Sequence, residues 1–393
     1  MKSEAREFDL VLFGASGFTG GLVAQHVVAH ARAGLRIALA GRRADKLHAL
    51  RERLMAAHPS RRHIGVIVAD VSDLASLARM AASTRAVLST VGPFVDYGEP
   101  LIKACVEQGT DYLDSTGERP FVLNMIERYD AAARARGVRL IFACGFDSIP
   151  ADLGVYFTVH QLPAGGPIEV SSYLSFRGSF SGGTKRSAIK ELAAERPPAD
   201  AYSFADADRI GRVIKGSAHC ARSIGAWVTP FFDAVDSNIV LRSAKVIERY
   251  GPRFTYKPWV VHPNMLSMLV MMLVGLIAGA LARITAIRTL LLKLVEPSGQ
   301  GPTPEQMAKG WFRVRFEAES GKTRVSTEVS GGDPGYGATS VMLGQSALCL
   351  LEDRELLPQR SGVVTTAAAF GDRLVERLQA HGLQFRVLPQ TGS

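Results

Sequence analysis

The chain has 393 residues, of which 47% are hydrophobic and 21% charged, so it can bury the cores of about two globular domains and is not a disordered segment. Its formal net charge of +9 comes from basic residues spread along the chain, which argues against a nucleic-acid partner. The four cysteines show no zinc or disulfide spacing and the nine histidines no ligand motif, which predicts a reduced, cytoplasmic protein with no metal site.

Strands alternate with helices through the first part of the chain. The predicted strands are Phe8–Phe13, Arg36–Ala40, Gly65–Ala69, Ala86–Thr90, a short one at Tyr112-Leu113, and Arg139–Ala143. The predicted helices are Phe18–Ala33, Ala44–Ala57, Leu74–Ala82, Pro100–Gln108 and Phe121–Arg136. Because these strands are apolar enough to be buried on both faces, they indicate an α/β domain with a doubly wound parallel sheet of the Rossmann type.

The pattern changes after Asp147. Alternating strands are predicted at Ile168–Arg177, Phe312–Glu319 and Arg324–Val329, and helices return at Thr339–Glu352 and Ser361–Ala380. We therefore expect a Rossmann domain at residues 1–147 and a second α+β domain at 148–335 with a mainly antiparallel sheet, for substrate binding or dimerisation. Helices in residues 336–393 are expected to pack back on the first domain.

A glycine-rich loop follows the first strand directly and opens a helix. It consists of Gly14, Ala15, Ser16, Gly17, Phe18, Thr19 and Gly20, with GxxGxxG spacing. Gly14 permits the tight turn, Gly17 lets the backbone approach a pyrophosphate, and Gly20 allows close packing of helix on strand. Free amides at the helix start then face the phosphate charge. The loop predicts a dinucleotide site.

The tip of the second strand indicates which dinucleotide binds. An NAD enzyme usually carries Asp or Glu there to bind the ribose hydroxyls, but this strand ends in Arg42 and Arg43. Guanidinium groups suit a 2′-phosphate by charge and by planar donor geometry, so the cofactor is predicted to be NADP(H). Asp70 and Val71 are expected to flank the adenine, with Asp70 alternatively capping the next helix.

The fourth strand is followed by a loop at the same predicted edge of the sheet. Its Thr90, Gly92, Pro93 and Phe94 are expected to lie beside the cofactor.

Residues 265–282 (MLSMLVMMLVGLIAGALA) carry no charge and have basic residues on both flanks. At 1.5 Å per residue they reach about 27 Å, the lower limit for a spanning helix. Three interpretations stay open: a membrane span, a shallow contact at the inner face of a membrane, or a buried helix that lines a homodimer face or an acyl channel.

Several motifs together resemble the saccharopine dehydrogenase-like oxidoreductases, and most closely their trans-acting enoyl reductase branch, which serves synthesis of phthiocerol-type lipids. The motifs are GASGFTG at 14–20, AGRR at 40–43, STVGPFVDYG at 89–98, DYLDSTGE at 111–118, CGFDSIPADLG at 144–154, FSGGT at 180–184 and GGDPGYGATS at 331–340. The resemblance implies NADPH, a lipid or polyketide thioester presented by a synthase or carrier protein, and hydride delivery to a C=C bond. It also implies that Gly92, Pro93 and Phe94 border the nicotinamide.

Such a reaction needs a proton donor for the enolate that forms. Tyr336 is the first candidate because it lies in a glycine-rich loop, and Tyr97 is the second.

Two other functions stay open. One is a saccharopine-type amino-acid dehydrogenase, for which Lys185 and Arg186 are the obvious carboxylate ligands. The other is a non-enzymatic NADP-binding protein at a membrane or lipid surface.

Overall fold

The computed structural model describes residues 6–61, 63–178, 189, 203–206, 208–231, 234–294 and 301–389. The chain divides into two compact units. The first takes its described residues from Met1–Ile149, Ser298–Gly301 and Gly335–His381, and the second takes the rest. FSGGT at 180–184, Lys185 and Arg186 lie outside the described residues.

The first unit is built on a seven-stranded sheet. Its strands are β1 (Phe8–Phe13), β2 (Ile37–Gly41), β3 (Ile64–Val68), β4 (Thr84–Ser89), β5 (Asp111–Asp114), β6 (Arg139–Ile141) and β15 (Gly362–Val363). They lie in the order β15-β6-β5-β4-β1-β2-β3, and every neighbouring pair is parallel. Buried residues fill the central strands, because helices cover the sheet. The predicted doubly wound α/β fold is confirmed.

The helices of the first unit follow the strands in alternation. They are α1 (Phe18–His30), α2 (Ala44–Ala57), α3 (Leu74–Ala82), α4 (Phe94–Tyr97), α5 (Glu99–Gln108), α6 (Arg119–Ala135), α12 (Gly337–Glu352), α13 (Thr366–Phe370) and α14 (Asp372–Ala380). The last three come from the far end of the chain, and α12 contacts α1, β4 and β5.

Two details of the C-terminal part differ from the prediction. Residues 361–380 were expected to be one helix, but Gly362–Val363 forms strand β15 beside β6 before α13 begins. Gly362 has φ +92°, a conformation that ends a helix. The segment 336–393 was expected to consist of helices on the first domain, but Gln384–Leu388 is a strand of the second sheet that pairs with β14.

The second unit is built on a nine-stranded sheet. Its strands are β7 (Ile168–Arg177), β8 (Ser203–Ala205), β9 (Ile210–Val213), β10 (His219–Ala221), β11 (Ala226–Pro230), β12 (Arg253–His262), β13 (Trp311–Ser320), β14 (Thr323–Gly331) and β16 (Gln384–Leu388). The main path is β10-β11-β12-β7-β13-β14-β16, and β9 joins β12 and β8. Pairing is antiparallel except between β12 and its neighbours β7 and β9, as expected for a mainly antiparallel sheet.

Helices α7 (Ile149–Val159), α8 (Ala234–Val246) and α11 (Pro304–Ala308) accompany this sheet. The Cβ that Gly154 lacks would overlap the ring of Phe316, so α7 lies close against β13. The hydroxyl groups of Thr158 and Thr327 are hydrogen-bonded at 2.6 Å, which ties α7 to β14. The absence of a side chain at Gly154 therefore sets how closely this helix packs.

The apolar stretch forms α9 (Met265–Arg283), followed directly by α10 (Thr285–Leu294). Among the described residues, α9 is the helix that length and composition would allow to cross a membrane. Asn264 caps its start by accepting a hydrogen bond from the Ser267 amide at 2.8 Å. Of its residues, Met268 and Ala282 are buried, so α9 is a helix whose apolar side chains are mostly exposed.

Candidate cofactor-binding site

Strand β1 lies between β2 and β4. The chain adds β2 and β3 on one side of β1 and then β4 on its other side, so the strand order reverses at β1. Ligands bind at such a switch point, outside the carboxyl ends of parallel strands. The loops after β1 and β4 meet there. The Thr90 hydroxyl lies 3.3 Å from the carbonyl oxygen of Phe13 and donates to it, and the Thr90 amide donates to the same oxygen at 3.0 Å. The glycine loop and the loop after β4 were predicted separately, and the structure brings them together.

The glycine loop turns tightly between β1 and α1. Gly14 has φ +88°, and a Cβ there would lie 2.7 Å from the Thr90 hydroxyl oxygen. A Cβ on Gly20 would overlap the carbonyl oxygen of Gly14, so a side chain at this position would force α1 away from the turn. Ala15 is buried, and its amide and that of Gly14 donate to Ala40 in β2. Gly14 and Gly20 thus have the structural roles that the spacing predicted.

The start of α1 presents backbone donors to the outside. Gly17 is its N-cap residue, is exposed, and provides no side-chain cap. Ser16, Phe18 and Thr19 beside it are half-buried. The first amides of a helix have no partner inside the helix and carry partial positive charge. An uncapped, glycine-bearing helix start is therefore suited to bind a phosphate.

The two arginines follow β2 as expected. Their side chains are 73% (Arg42) and 60% (Arg43) exposed. Arg42 Nε lies 3.9 Å from a carboxylate oxygen of Asp70, and Arg43 is paired with Asp45 at 3.1 Å. Both guanidinium groups therefore keep most of their donors available at the end of β2, where a 2′-phosphate would lie.

Asp70 follows β3 and accepts two hydrogen bonds from Ser72, from its amide at 2.9 Å and its hydroxyl at 2.7 Å. These bonds, with the charge of Arg42, lower the pKa of Asp70. The alternative that Asp70 caps α3 is wrong, because Asp73 is the N-cap residue and accepts from the Ser76 amide. Val71, beside Asp70, is half-buried.

The loop after β4 is held by an acid that the sequence analysis gave no role. The Glu118 carboxylate accepts from the amides of Phe94 at 3.0 Å and Val95 at 2.8 Å, and so caps α4. The peptide between Gly92 and Pro93 is cis. Glu118 lies in the DYLDSTGE motif, which contributed only to the family resemblance. No short-range pattern in the sequence predicts its contact with residues about 24 positions earlier.

Two further acids lie at the same edge of the sheet. Asp114 is buried at the end of β5, accepts from the amides of Thr116 and Ala143, and takes a 3.0 Å hydrogen bond from the Tyr112 hydroxyl. Burial raises the pKa of Asp114 to about 7. Burial likewise raises the pKa of Asp147 to about 6. Asp114 therefore links the ends of β5 and β6 and is placed to fix the rim of the site.

The two candidate proton donors differ in environment. Tyr336 is 2% exposed, precedes α12, and packs edge-on against Phe18 of the glycine loop, with 4.9 Å between ring centroids. Tyr97 ends α4 and is 44% exposed. Tyr336 is thus in direct contact with the glycine loop, whereas Tyr97 lies on the loop held by Glu118. In the described part of the chain, no group of three or more histidine, cysteine or acidic side chains could hold a metal ion.

Comparisons with known proteins extend over the whole chain. Residues 10–141 match the saccharopine dehydrogenase NADP-binding domain. A Mycobacterium tuberculosis protein with the provisional name trans-acting enoyl reductase Rv2449c is 37% identical, over 98% of this chain and 99% of its own. A Rattus norvegicus saccharopine dehydrogenase-like oxidoreductase is 34% identical, over 99% of both chains. This chain belongs to the saccharopine dehydrogenase-like oxidoreductases.

A solved relative shows the same fold. Saccharopine dehydrogenase of Saccharomyces cerevisiae superposes with a TM-score of 0.57, at 15% identity, over 97% of this chain and 100% of the other. The predicted family and the predicted cofactor are both confirmed: this saccharopine dehydrogenase-like oxidoreductase uses NADP(H). The geometry fits that cofactor, because an uncapped helix start and two exposed guanidinium groups follow neighbouring strands.

Proposed function

We propose that this oxidoreductase is an enoyl reductase that reduces a C=C bond of a lipid or polyketide thioester made by a separate synthase. The observation that carries the proposal is the full-length similarity to enzymes of that name. A Mycobacterium bovis protein named trans-acting enoyl reductase is 34% identical over 98% of both chains, in addition to the 37% identical relative. Similarity of fold alone would not support a substrate class, but identity along the entire chain includes the substrate-binding parts.

The residues proposed to hold NADP(H) are those around the switch point. The glycine loop with Gly17 at the helix start binds the pyrophosphate, and Arg42 and Arg43 bind the 2′-phosphate. Asp70 and Val71 flank the adenine. Thr90, Gly92, Pro93 and Phe94 border the nicotinamide, on a loop that Glu118 holds in place.

Bound NADPH would supply a hydride to the β-carbon of the enoyl thioester. The chain positions the two reactants face to face and stabilises the negative charge that develops on the thioester oxygen. The enolate must then receive a proton at its α-carbon. We propose Tyr336, which contacts Phe18 of the cofactor loop, as the donor, and Tyr97 as the second candidate. A Phe substitution at the true donor keeps the ring and removes the proton.

The decisive experiment measures NADPH oxidation with trans-2-enoyl thioesters of rising chain length, as coenzyme A and carrier-protein conjugates. We expect turnover that improves with chain length. Tyr336→Phe should lower kcat by about 10²-fold or more while NADPH still binds, and Tyr97→Phe is the matched variant. Reduction of NADP⁺ with saccharopine, and none of the thioesters reduced, would support the amino-acid dehydrogenase instead. NADPH binding with no turnover of any substrate would support a non-enzymatic role.

The roles of the two arginines are tested by cofactor affinity. Arg42→Ala combined with Arg43→Ala should weaken NADPH binding by about 10- to 100-fold and leave NADH almost unaffected, since only NADPH carries the 2′-phosphate. Arg79→Ala, a basic residue on the neighbouring helix α3, is the control. Fluorescence titration of both cofactors gives the answer, and equal weakening of NADPH and NADH would contradict the assignment.

A further inference from the structure

The strongest feature outside the cofactor site is the pair of helices α9 and α10. From Leu269 to Ile277, nine consecutive residues of α9 are exposed, and Leu276 is 72% exposed. Nine residues make two and a half helical turns, so apolar side chains point outward on every side. A folded protein in water rarely exposes a continuous apolar surface of this kind unless something covers it.

The charges around this surface have one sign. Between Met265 and Leu294 the charged residues are Arg283, Arg288 and Lys293, and there is no acid. A second copy of the chain would bring the same positive charges to the contact and would cover one face of the helix. An acyl chain would also cover one face. A lipid phase with anionic headgroups covers all sides and pairs with the cations.

The sheet of the second unit fixes how this segment can meet a membrane. Strand β12 ends at His262, just before α9, and β13 begins at Trp311, after it, and both strands pair with β7. Both ends of the segment 263–310 are therefore on the same side of any membrane. At 1.5 Å per residue α9 is about 28 Å long, but α10 is about 15 Å, too short for a return crossing.

The sequence from 295 to 310 is VEPSGQGPTPEQMAKG, which is too polar to cross hydrocarbon. A single crossing is excluded by the shared sheet, and the described part of the segment contains no second span for a double crossing. A vertical insertion is disfavoured too, since it would carry Arg283, at the far end of α9, across almost the whole hydrocarbon layer.

We propose that α9 and α10 form a monotopic membrane anchor, which lies within one leaflet of an anionic bilayer. The apolar side chains of α9 enter the acyl region, and Arg283, Arg288 and Lys293 reach the lipid phosphates along the interface. The anchor places the second unit at a lipid surface. This inference is independent of the enoyl reductase proposal, because it uses neither the cofactor site nor the substrate.

Flotation of the purified full chain with vesicles tests the anchor. With phosphatidylcholine and phosphatidylglycerol at 3:1, we expect the protein to float, with at least tenfold weaker partition into pure phosphatidylcholine. Leu269→Gln, Leu273→Gln and Leu276→Gln together should lower partition at least tenfold. The matched control removes three exposed apolar side chains elsewhere, through Leu74→Gln, Leu356→Gln and Val387→Gln, and should float as the wild type does.

A second variant separates charge from hydrophobicity. Arg283→Gln, Arg288→Gln and Lys293→Gln together should leave partition into pure phosphatidylcholine unchanged and remove the preference for the anionic vesicles, about fivefold for each charge. Equal urea midpoints for all variants show that they are folded. A wild type that stays unbound to both vesicles, or a triple Leu→Gln variant that floats like the wild type, overturns the proposal. The proposal is also overturned if the wild type is a dimer that binds neither vesicle and the triple Leu→Gln variant is a monomer, because the surface then binds a second copy of the chain.

Discussion

Helices α12 and α9 are both long and apolar, yet they have opposite environments. Thirteen of the 16 residues of α12 are buried, whereas two of the 19 residues of α9 are. The buried helix is the more polar of the two, since it carries Thr339, Ser340, Gln345 and Ser346. Hydropathy by itself would assign the two environments the wrong way round.

The difference arises from partners. In α12, Gln345 contacts His26 at 2.9 Å and accepts from Arg377 at 3.1 Å, and the Thr339 hydroxyl oxygen accepts from the Phe146 amide. Each polar group has a partner, so its burial costs little. A Cβ on Gly344 would lie 2.6 Å from the His26 ring, which shows how closely α12 packs on α1. Helix α9 has one polar cap at its start, and only Met268 and Ala282 of its residues are buried.

The largest expected effect contrasts a leucine in each helix. Leu343→Ala in α12 removes a fully buried side chain and should lower the free energy of unfolding by about 2–5 kcal/mol. Leu273→Ala in α9 removes an exposed one and should change it by less than about 0.5 kcal/mol. Urea unfolding in vesicle-free buffer measures both. A similar loss in both variants would mean that α9 is packed in solution.

The next contrast concerns two glycines. Gly20→Ala places a Cβ against the Gly14 carbonyl and 2.8 Å from the Thr90 hydroxyl, so it should cost about 1–3 kcal/mol and weaken NADPH binding. Gly275→Ala, in α9, adds a Cβ that meets nothing within 4 Å. It should stabilise the helix by up to about 1 kcal/mol. Thermal unfolding with and without NADPH measures the stability and the NADPH response of both variants. A destabilised Gly275→Ala variant would mean that another part of the protein packs against α9.

The effect that is smallest at neutral pH is a pH dependence at the α1–α12 contact. Burial, with His30 and His381 nearby, lowers the pKa of His26 to about 3, and Arg377 is the other charged group close to Gln345. The unfolded chain, with an ordinary histidine pKa near 6.5, then binds more protons than the folded one. The contribution of His26 to stability should therefore fall as the pH drops from about 6.5 towards 3.

His26→Gln removes the proton-binding group and can keep the contact with Gln345. Relative to the wild type, it should remove a fall in unfolding free energy of up to about 1.4 kcal/mol per pH unit on acidification over that range. Leu273→Gln in α9 is the control and should keep the wild-type slope. Urea midpoints between pH 4 and 7.5 give both slopes, and an unchanged slope for His26→Gln would show that this histidine titrates normally in the folded protein.

Local signals determined the first unit almost completely. The glycine spacing, the apolar strands and the arginines at the end of β2 predicted the Rossmann sheet, the cofactor loop and NADP(H), because each depends on residues adjacent in sequence. The resemblance carried by several motifs then predicted the family. These features require backbone conformation and charge at a few positions, which a sequence displays directly.

Tertiary structure decided what depends on distant partners. Glu118 holds a loop 24 residues away, and Asp73 rather than Asp70 caps α3. Strands β15 and β16 join two different sheets, although only 20 residues lie between Val363 and Gln384. The burial of α12 and the exposure of α9 likewise depend on distant parts of the chain. The sequence of an apolar helix predicts only that its side chains avoid water. The surrounding fold decides whether protein or another phase, such as lipid, covers them.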